Sequence, residues 1–290
     1  MKPADPANAP YVGRFAPSPT GPLHLGSLTT ALASFMDAHS HRGTWLIRIE
    51  DVDPPREVAG ATEAILTALA AHGLRSPMEP LFQNTRHERY KSICAHLLEQ
   101  RKAFYCVCSR KQQDNLGRCV AGCQDLDISA TGNNLRINLP VDNRDFTDRV
   151  YGRIESERLT FDNAIIWRKD NLPAYLLAAT VDDIDSGVTD IVRGDDLLFE
   201  THRQLAFYAV LEKDIPRYAH IPVVRNDDGK KLSKQTGAEG IDINSPIHNL
   251  TKALVQLHPE LKLSNEYKNP SDWLRSLQDH WHLPTKSLQT

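Results

Sequence analysis

Two hydrophobic periods take turns along the first hundred residues. A short β-type run, Tyr11 to Ala16, leads into a proline-rich loop. After Gly26 the apolar residues Leu28, Ala31, Leu32, Phe35 and Met36 recur at helical spacing. Thr44 to Asp51 is again rich in β-formers and is closed by carboxylates and Pro54-Pro55. The spacing then predicts a helix over Glu57 to Gly73, with Val58, Ala61, Ile65 and Leu69 inward and Gly73 as its C-cap. A third helix is predicted over Arg86 to Lys102, with Tyr90, Ile93, Cys94, Leu97 and Leu98 on one side. Strands separated by helices of this length imply an α/β fold, a parallel sheet with crossover helices.

The stretch from Cys106 to Phe161 breaks the rhythm. It holds a cysteine cluster, the turn Thr131-Gly132-Asn133-Asn134 and short β-type pieces at Arg136 to Leu139 and Tyr151 to Glu155, and it reads as an inserted subdomain. Alternation resumes with a strand at Ile165 to Arg168, a helix from Pro173 to Val181 and a strand at Val188 to Arg193. A helix from Glu200 to Glu212 and a strand at His220 to Val224 follow. The domain reading is therefore an α/β layer split into 11–105 and 162–240 around an insertion at 106–161. A Pro/Ala-rich disordered leader at 1–10 precedes it, and a polar, helix-compatible segment at 241–290 follows.

Composition narrows the function classes. The 290 residues allow a substantial core, and 34 basic against 37 acidic residues give no global sign of a nucleic-acid partner. No apolar run is long enough to span a membrane and the first residues lack a signal core, so the expected compartment is the cytoplasm. Four of the five cysteines crowd between Cys106 and Cys123, which in a reducing compartment suggests metal more than disulfides.

Four groups of residues carry candidate chemistry. His24-Leu25-Gly26-Ser27 stands at the mouth of the first helix, where unpaired N–H groups and the positive dipole end suit phosphate. Lys230-Lys231-Leu232-Ser233-Lys234 reads either as a solvated basic loop or as a cationic loop that closes over a triphosphate. Cys106 and Cys108, then Cys119 and Cys123, have the spacing for a tetrahedral zinc shell, with scattered free thiols as the alternative. Glu50, Arg14 and Arg193 stand at or near strand ends: a carboxylate there suits an ammonium group, and guanidinium forks suit carboxylates. Each could equally be an ordinary surface acid or salt-bridge former.

The string Gly13-Arg14-Phe15-Ala16-Pro17-Ser18-Pro19-Thr20-Gly21-Pro22-Leu23-His24-Leu25-Gly26-Ser27 closely resembles the first motif of class I aminoacyl-tRNA synthetases of the glutamyl branch. The lysine loop, about 200 residues later, resembles their second motif, with Leu232 for Met and Gln235 for the final Ser. Arg48-Ile49-Glu50-Asp51-Val52-Asp53 matches a third. The resemblance implies a class I, Rossmann-like catalytic domain that binds ATP with Mg²⁺ through His24, Gly26, Ser27, Lys231 and Lys234. His24 and Lys234 would act on the phosphates during catalysis. It implies a glutamate pocket of Arg14, Ala16, Ser18, Glu50, Tyr175 and Arg193, with Glu50 on the α-amino group. It also implies a structural zinc in the insertion, where Cys119 stands for a tyrosine in the family pattern.

Two departures point to one branch. Ser27 replaces the usual His, and some 50 residues after the lysine loop are too few for an anticodon-binding domain. Both resemble the short glutamyl-Q tRNA(Asp) synthetase family. That family activates L-glutamate with ATP and transfers it to the queuosine base at the wobble position of tRNA(Asp). The partners implied are ATP, L-glutamate and queuosine-bearing tRNA(Asp), for a protein expected to be monomeric and free of membranes. Competing readings are a truncated or tRNA-dependent glutamyl-tRNA synthetase and a non-catalytic, zinc-containing RNA-binding protein.

Overall fold

A computed structural model describes residues 10–142, 144–224, 239–261, 263 and 267–286. Most of the proposed leader and the whole lysine loop, with Lys231 and Lys234, lie outside the described residues. The elements run β1 (Val12–Phe15), α1 (Leu25–Ser40), β2 (Thr44–Ile49), α2 (Ala61–Ala71), β3 (Leu81–Phe82), α3 (His87–Glu99), β4 (Ala103–Cys106) and β5 (Asn134–Leu139). They continue as β6 (Phe146–Asp148), β7 (Gly152–Ile154), β8 (Asp162–Trp167), α4 (Tyr175–Asp185) and β9 (Asp190–Gly194). Last come α5 (Glu200–Val210), β10 (Arg217–Ile221), α6 (Pro246–Leu257) and α7 (Pro270–Gln278).

The main sheet has the order β3-β2-β1-β9-β10-β6-β7, parallel throughout except for the edge strand β7. The chain leaves β1 toward β2 on one side and later returns to β9 on the other. Between β1 and β9 lies the strand-order reversal, beyond whose carboxyl ends α/β sheets bind ligands. Because side chains alternate faces, Phe15, Trp45, Ile47 and Ile49 share one core with α1, α6 and α7. Leu254, Trp273 and Leu277 are in that core too, so the C-terminal helices are an integral part of the main-sheet layer.

Arg14 and Arg48 fall on the opposite face. So do Ile191 with Arg193 on β9, and Tyr218 with His220 on β10, which the register Tyr218↔Ile191 and His220↔Arg193 sets side by side. A sheet face closed over by helices normally carries aliphatic side chains. Here three arginines and a histidine occupy it, each at most 4% exposed.

The second sheet, β4-β5-β8, is antiparallel. Its outer strands β4 and β8 come from the two sides of the 106–161 segment and its central strand β5 from within it, so Ile165 to Trp167 belongs to this sheet. Gly152–Ile154, inside that segment, extends the main sheet instead. The helix expected from Glu57 begins only at Ala61. Pro54–Arg56 makes an isolated turn, Glu57 is extended, and Gly60 enters the helix in the left-handed region at φ 76°. Val58, expected inward, is consequently exposed.

Candidate active site

Three guanidinium groups and two carboxylates meet where β1, β2 and β9 end. Asp183 of α4 accepts from Arg14 Nε at 3.0 Å and from Arg48 Nη1 at 2.5 Å, all three side chains being buried. Leu176, Ala179, Thr180 and Asp183 recur on one face of α4, and that face delivers the carboxylate. Burial alone would push the Asp183 carboxyl up, but Arg14 and Arg48 hold it below the usual range. Arg48 also reaches Glu50 Oε1 from Nη2 at 3.3 Å. Burial raises the Glu50 pKa, and Arg48 and Arg14 only partly offset this.

Tyr175 begins α4, its hydroxyl accepting from Arg193 Nη1 at 3.4 Å. Burial pushes its pKa up, while the fields of Arg193, Glu50, Arg14 and Arg48 all act on it. The structure thus brings together four of the expected residues: Arg14, Glu50, Tyr175 and Arg193. Ala16 and Ser18 lie half-buried on the chain leaving β1. Pro17 of that loop accepts from the Glu50 backbone N–H at 3.0 Å, which ties the loop to the end of β2. Arg48 and Asp183 complete the cluster. Sequence reading singled out neither, although an acid on an otherwise apolar stripe of α4 was a readable signal.

Charge does not balance in this cluster. Arg14 and Arg48 pair with Asp183 and Glu50, but Arg193 has no carboxylate within ion-pair distance among the described residues. A buried cation without a counter-charge is costly, and a ligand carboxylate would relieve it.

The second expected group sits at the start of α1. His24 is the N-cap: its Nδ1 accepts from the Ser27 N–H at 3.3 Å and its Nε2 lies 3.0 Å from Ser27 Oγ. Gly26 is in the first turn, its carbonyl accepting from Thr30 Oγ1 at 3.2 Å. Both anchors of the segment carrying Lys231 and Lys234 are described. Before it, the Val223 N–H donates to Asp195 Oδ1 at 3.1 Å; after it, Gly240 pairs with His24.

Cys106, Cys108, Cys119 and Cys123 are buried and unoxidised, with all four sulfurs within 4.8 Å of one another. Cys108 Sγ lies 3.6 Å from both Cys119 Sγ and Cys123 Sγ. Metal–sulfur bonds of about 2.3 Å in a tetrahedron require S···S edges of about 3.8 Å, so the donor set fits a closed four-thiolate metal shell. Asn163 braces the site by accepting from the Cys119 N–H at 2.8 Å and donating to its carbonyl at 3.1 Å. Cys94 is separate, a core thiol that burial pushes up to about 12. His72 is buried; its Nδ1 lies 2.7 Å from the Ala68 carbonyl and its Nε2 3.1 Å from Asn249 Nδ2.

A family model described as class I tRNA synthetases (E and Q), catalytic domain, matches residues 11–246. The chain belongs to this family. It is a class I synthetase-type ligase. Among curated relatives, the glutamyl-Q tRNA(Asp) synthetase of Vibrio vulnificus (strain YJ016) is 41% identical over 275 residues, 94% of this chain and 90% of that protein. The protein of that name from Vibrio parahaemolyticus serotype O3:K6 is 45% identical over 251 residues, 86% of this chain and 85% of the other. A solved glutamate tRNA ligase from Elizabethkingia meningosepticum, in complex with its amino acid, superposes with a TM-score of 0.67 at 26% identity. That match covers 79% of this chain and 53% of the longer one.

The raised Glu50 pKa has a consequence for stability. The unfolded state surrenders this proton first as pH rises, so stability that Glu50 contributes in acid is lost as pH climbs through its raised folded value. Glu50→Gln is therefore expected to raise the thermal midpoint of the ligand-free protein near neutral pH. The gain should vanish in acid. Calorimetric scans across pH check this, and a lowered midpoint at neutrality would contradict it.

Proposed function

We propose that the protein activates L-glutamate with ATP and transfers it to the queuosine base of tRNA(Asp). One observation carries the amino-acid half: the buried Arg193, close to Glu50, Arg14 and Tyr175, has no carboxylate within ion-pair distance among the described residues. A zwitterionic dicarboxylate completes that arrangement, its ammonium on Glu50 and its carboxylates on the arginine edges, with Tyr175, Ala16 and Ser18 shaping the walls. The acceptor half is supported by the name shared among relatives at 41–45% identity. The free cysteines suit a reducing cytoplasm.

ATP docks at the start of α1, where His24, Gly26 and Ser27 meet its phosphates. The α-carboxylate of glutamate attacks the α-phosphorus; a carboxylate–phosphorus bond forms as the α–β phosphoanhydride breaks and pyrophosphate leaves. Lys234, with Lys231, stabilises the charge growing on that leaving group. Mg²⁺ arrives with ATP as part of the substrate. A nucleophile of the queuosine base then attacks the anhydride carbonyl and AMP departs. Cys106, Cys108, Cys119 and Cys123 would hold a zinc ion, which would supply a structural cross-link fastening the insertion.

Glutamate-dependent ATP–pyrophosphate exchange without any tRNA is the first expected result, and a strict requirement for tRNA would oppose the reading. Lys234→Ala should cut the exchange rate by about 10² or more while glutamate affinity holds; equal loss of both would remove Lys234 from its role. Labelled glutamate should join tRNA(Asp) only when queuosine is present, and label at the 3′ end would favour a glutamyl-tRNA synthetase. Elemental analysis should find about one zinc per chain, lost in Cys108→Ser with a lower thermal midpoint. Full metal retention in that variant would speak against the four-cysteine shell.

A further inference from the structure

Behind Arg193 lies a fully buried polar chain that the proposed reaction does not use. Arg193 Nε donates to His220 Nε2 at 2.9 Å, and His220 Nδ1 lies 2.7 Å from Asp148 Oδ2. His220 and Asp148 are at most 1% exposed. Since Nε2 accepts from the guanidinium, the imidazole is the neutral Nδ1–H tautomer and donates that proton to Asp148. Asp148 is itself locked by the backbone N–H groups of Val150 at 2.9 Å, Tyr151 at 3.0 Å and His220 at 3.1 Å.

The other donors of Arg193 are also spoken for. Nη2 donates to Thr201 Oγ1 at 2.8 Å and to the Leu197 carbonyl at 3.2 Å. The guanidinium carbon sits 5.2 Å from the centre of the Tyr218 ring. Only the Nη1 edge remains, and it faces Tyr175. A guanidinium has five N–H donors in a rigid plane, so fixing Nε and Nη2 fixes where Nη1 points.

We propose that His220, oriented by Asp148, is a positioning residue that clamps Arg193 so that its Nη1 edge alone is presented to the substrate carboxylate. The clamp makes that carboxylate contact preorganised: an arginine free to rotate would lose affinity to its own side-chain entropy. A neutral acceptor achieves this without cancelling the arginine's charge. A carboxylate in the place of His220 would hold the same geometry but neutralise the attraction. The inference rests on the assignment of Arg193 to the glutamate pocket.

The test is pyrophosphate exchange by the full-length protein, comparing His220→Leu with His220→Gln. A glutamine can accept from Arg193 and donate to Asp148, whereas leucine does neither. His220→Leu is expected to raise the KM for glutamate about tenfold or more, with the KM for ATP within about twofold. His220→Gln should stay within about threefold of the parent. Equal losses in both variants, or parallel rises in both KM values, would overturn the proposal.

If His220→Leu does not fold, Thr201→Val removes the other side of the clamp and should raise the glutamate KM selectively. No change there would count against the clamp. Arg193→Lys separates the two ideas. An unchanged glutamate KM in that variant refutes the pocket assignment. A raised KM there, with no effect of His220→Leu, refutes the clamp alone. The Nε–H proton resonance of Arg193 gives a readout independent of substrate: protected from exchange in the parent and in His220→Gln, exposed in His220→Leu.

Discussion

Asp183 lies between Arg14 and Arg48 and receives a hydrogen bond from each, and the site depends on that shared carboxylate. Two guanidinium groups could not remain on a buried sheet face without it. Removing one member of a buried ion pair typically costs about 3–5 kcal/mol, because the partner charge is left stranded. Here a single acid holds two cations, so its loss would strand Arg14 and leave Arg48 with Glu50 alone. Such a bridge adds little net stability over an apolar core of similar shape. Its effect is positional: Arg48 is fixed beside Glu50, and Arg14 at the end of β1.

The remaining geometry follows from the sheet. Parallel strands with the reversal between β1 and β9 bring Arg14 and Arg193 to neighbouring strand ends. The α1 start, with His24 and Ser27, follows the same β1 end. The residues proposed for the amino acid at the β1 end and for phosphates at the α1 start therefore come from one stretch of chain, Arg14 to Ser27. The apolar face of the sheet is tied to α1, α6 and α7, which leaves the opposite face for charge. The energetic burden of the polar face, seen in the raised carboxyl of Glu50 and in an Arg193 without a carboxylate at ion-pair distance among the described residues, is the pattern expected where function is favoured over stability.

Much of this was legible in the sequence. The helical spacing of Leu28 to Met36 and the β-rich run at Thr44 to Ile49 became α1 and β2. Arg14, Glu50, Tyr175 and Arg193, drawn from positions as far as 179 residues apart, do converge. The missed features have physical reasons. Strand propensity does not say which sheet a strand joins, so β7 and β8 each pair where sequence order did not suggest. The start of α2 was misplaced because a left-handed Gly60 and Pro54-Pro55 outweigh the apolar period of Val58 and Ala61. His220 and Asp148 matter only through partners remote in the chain, so local pattern could not reveal them.

The central claim is that a buried excess of positive charge, framed by one carboxylate for an ammonium group, selects glutamate. Titration calorimetry of the full-length protein with glutamate, glutamine and glutarate tests it directly. Glutamate is expected to bind about tenfold or more tighter than either analogue, since glutamine lacks the second carboxylate and glutarate the ammonium. Equal affinity for glutamine would show that Arg193 does not need a counter-charge. Equal affinity for glutarate would remove Glu50 from the site.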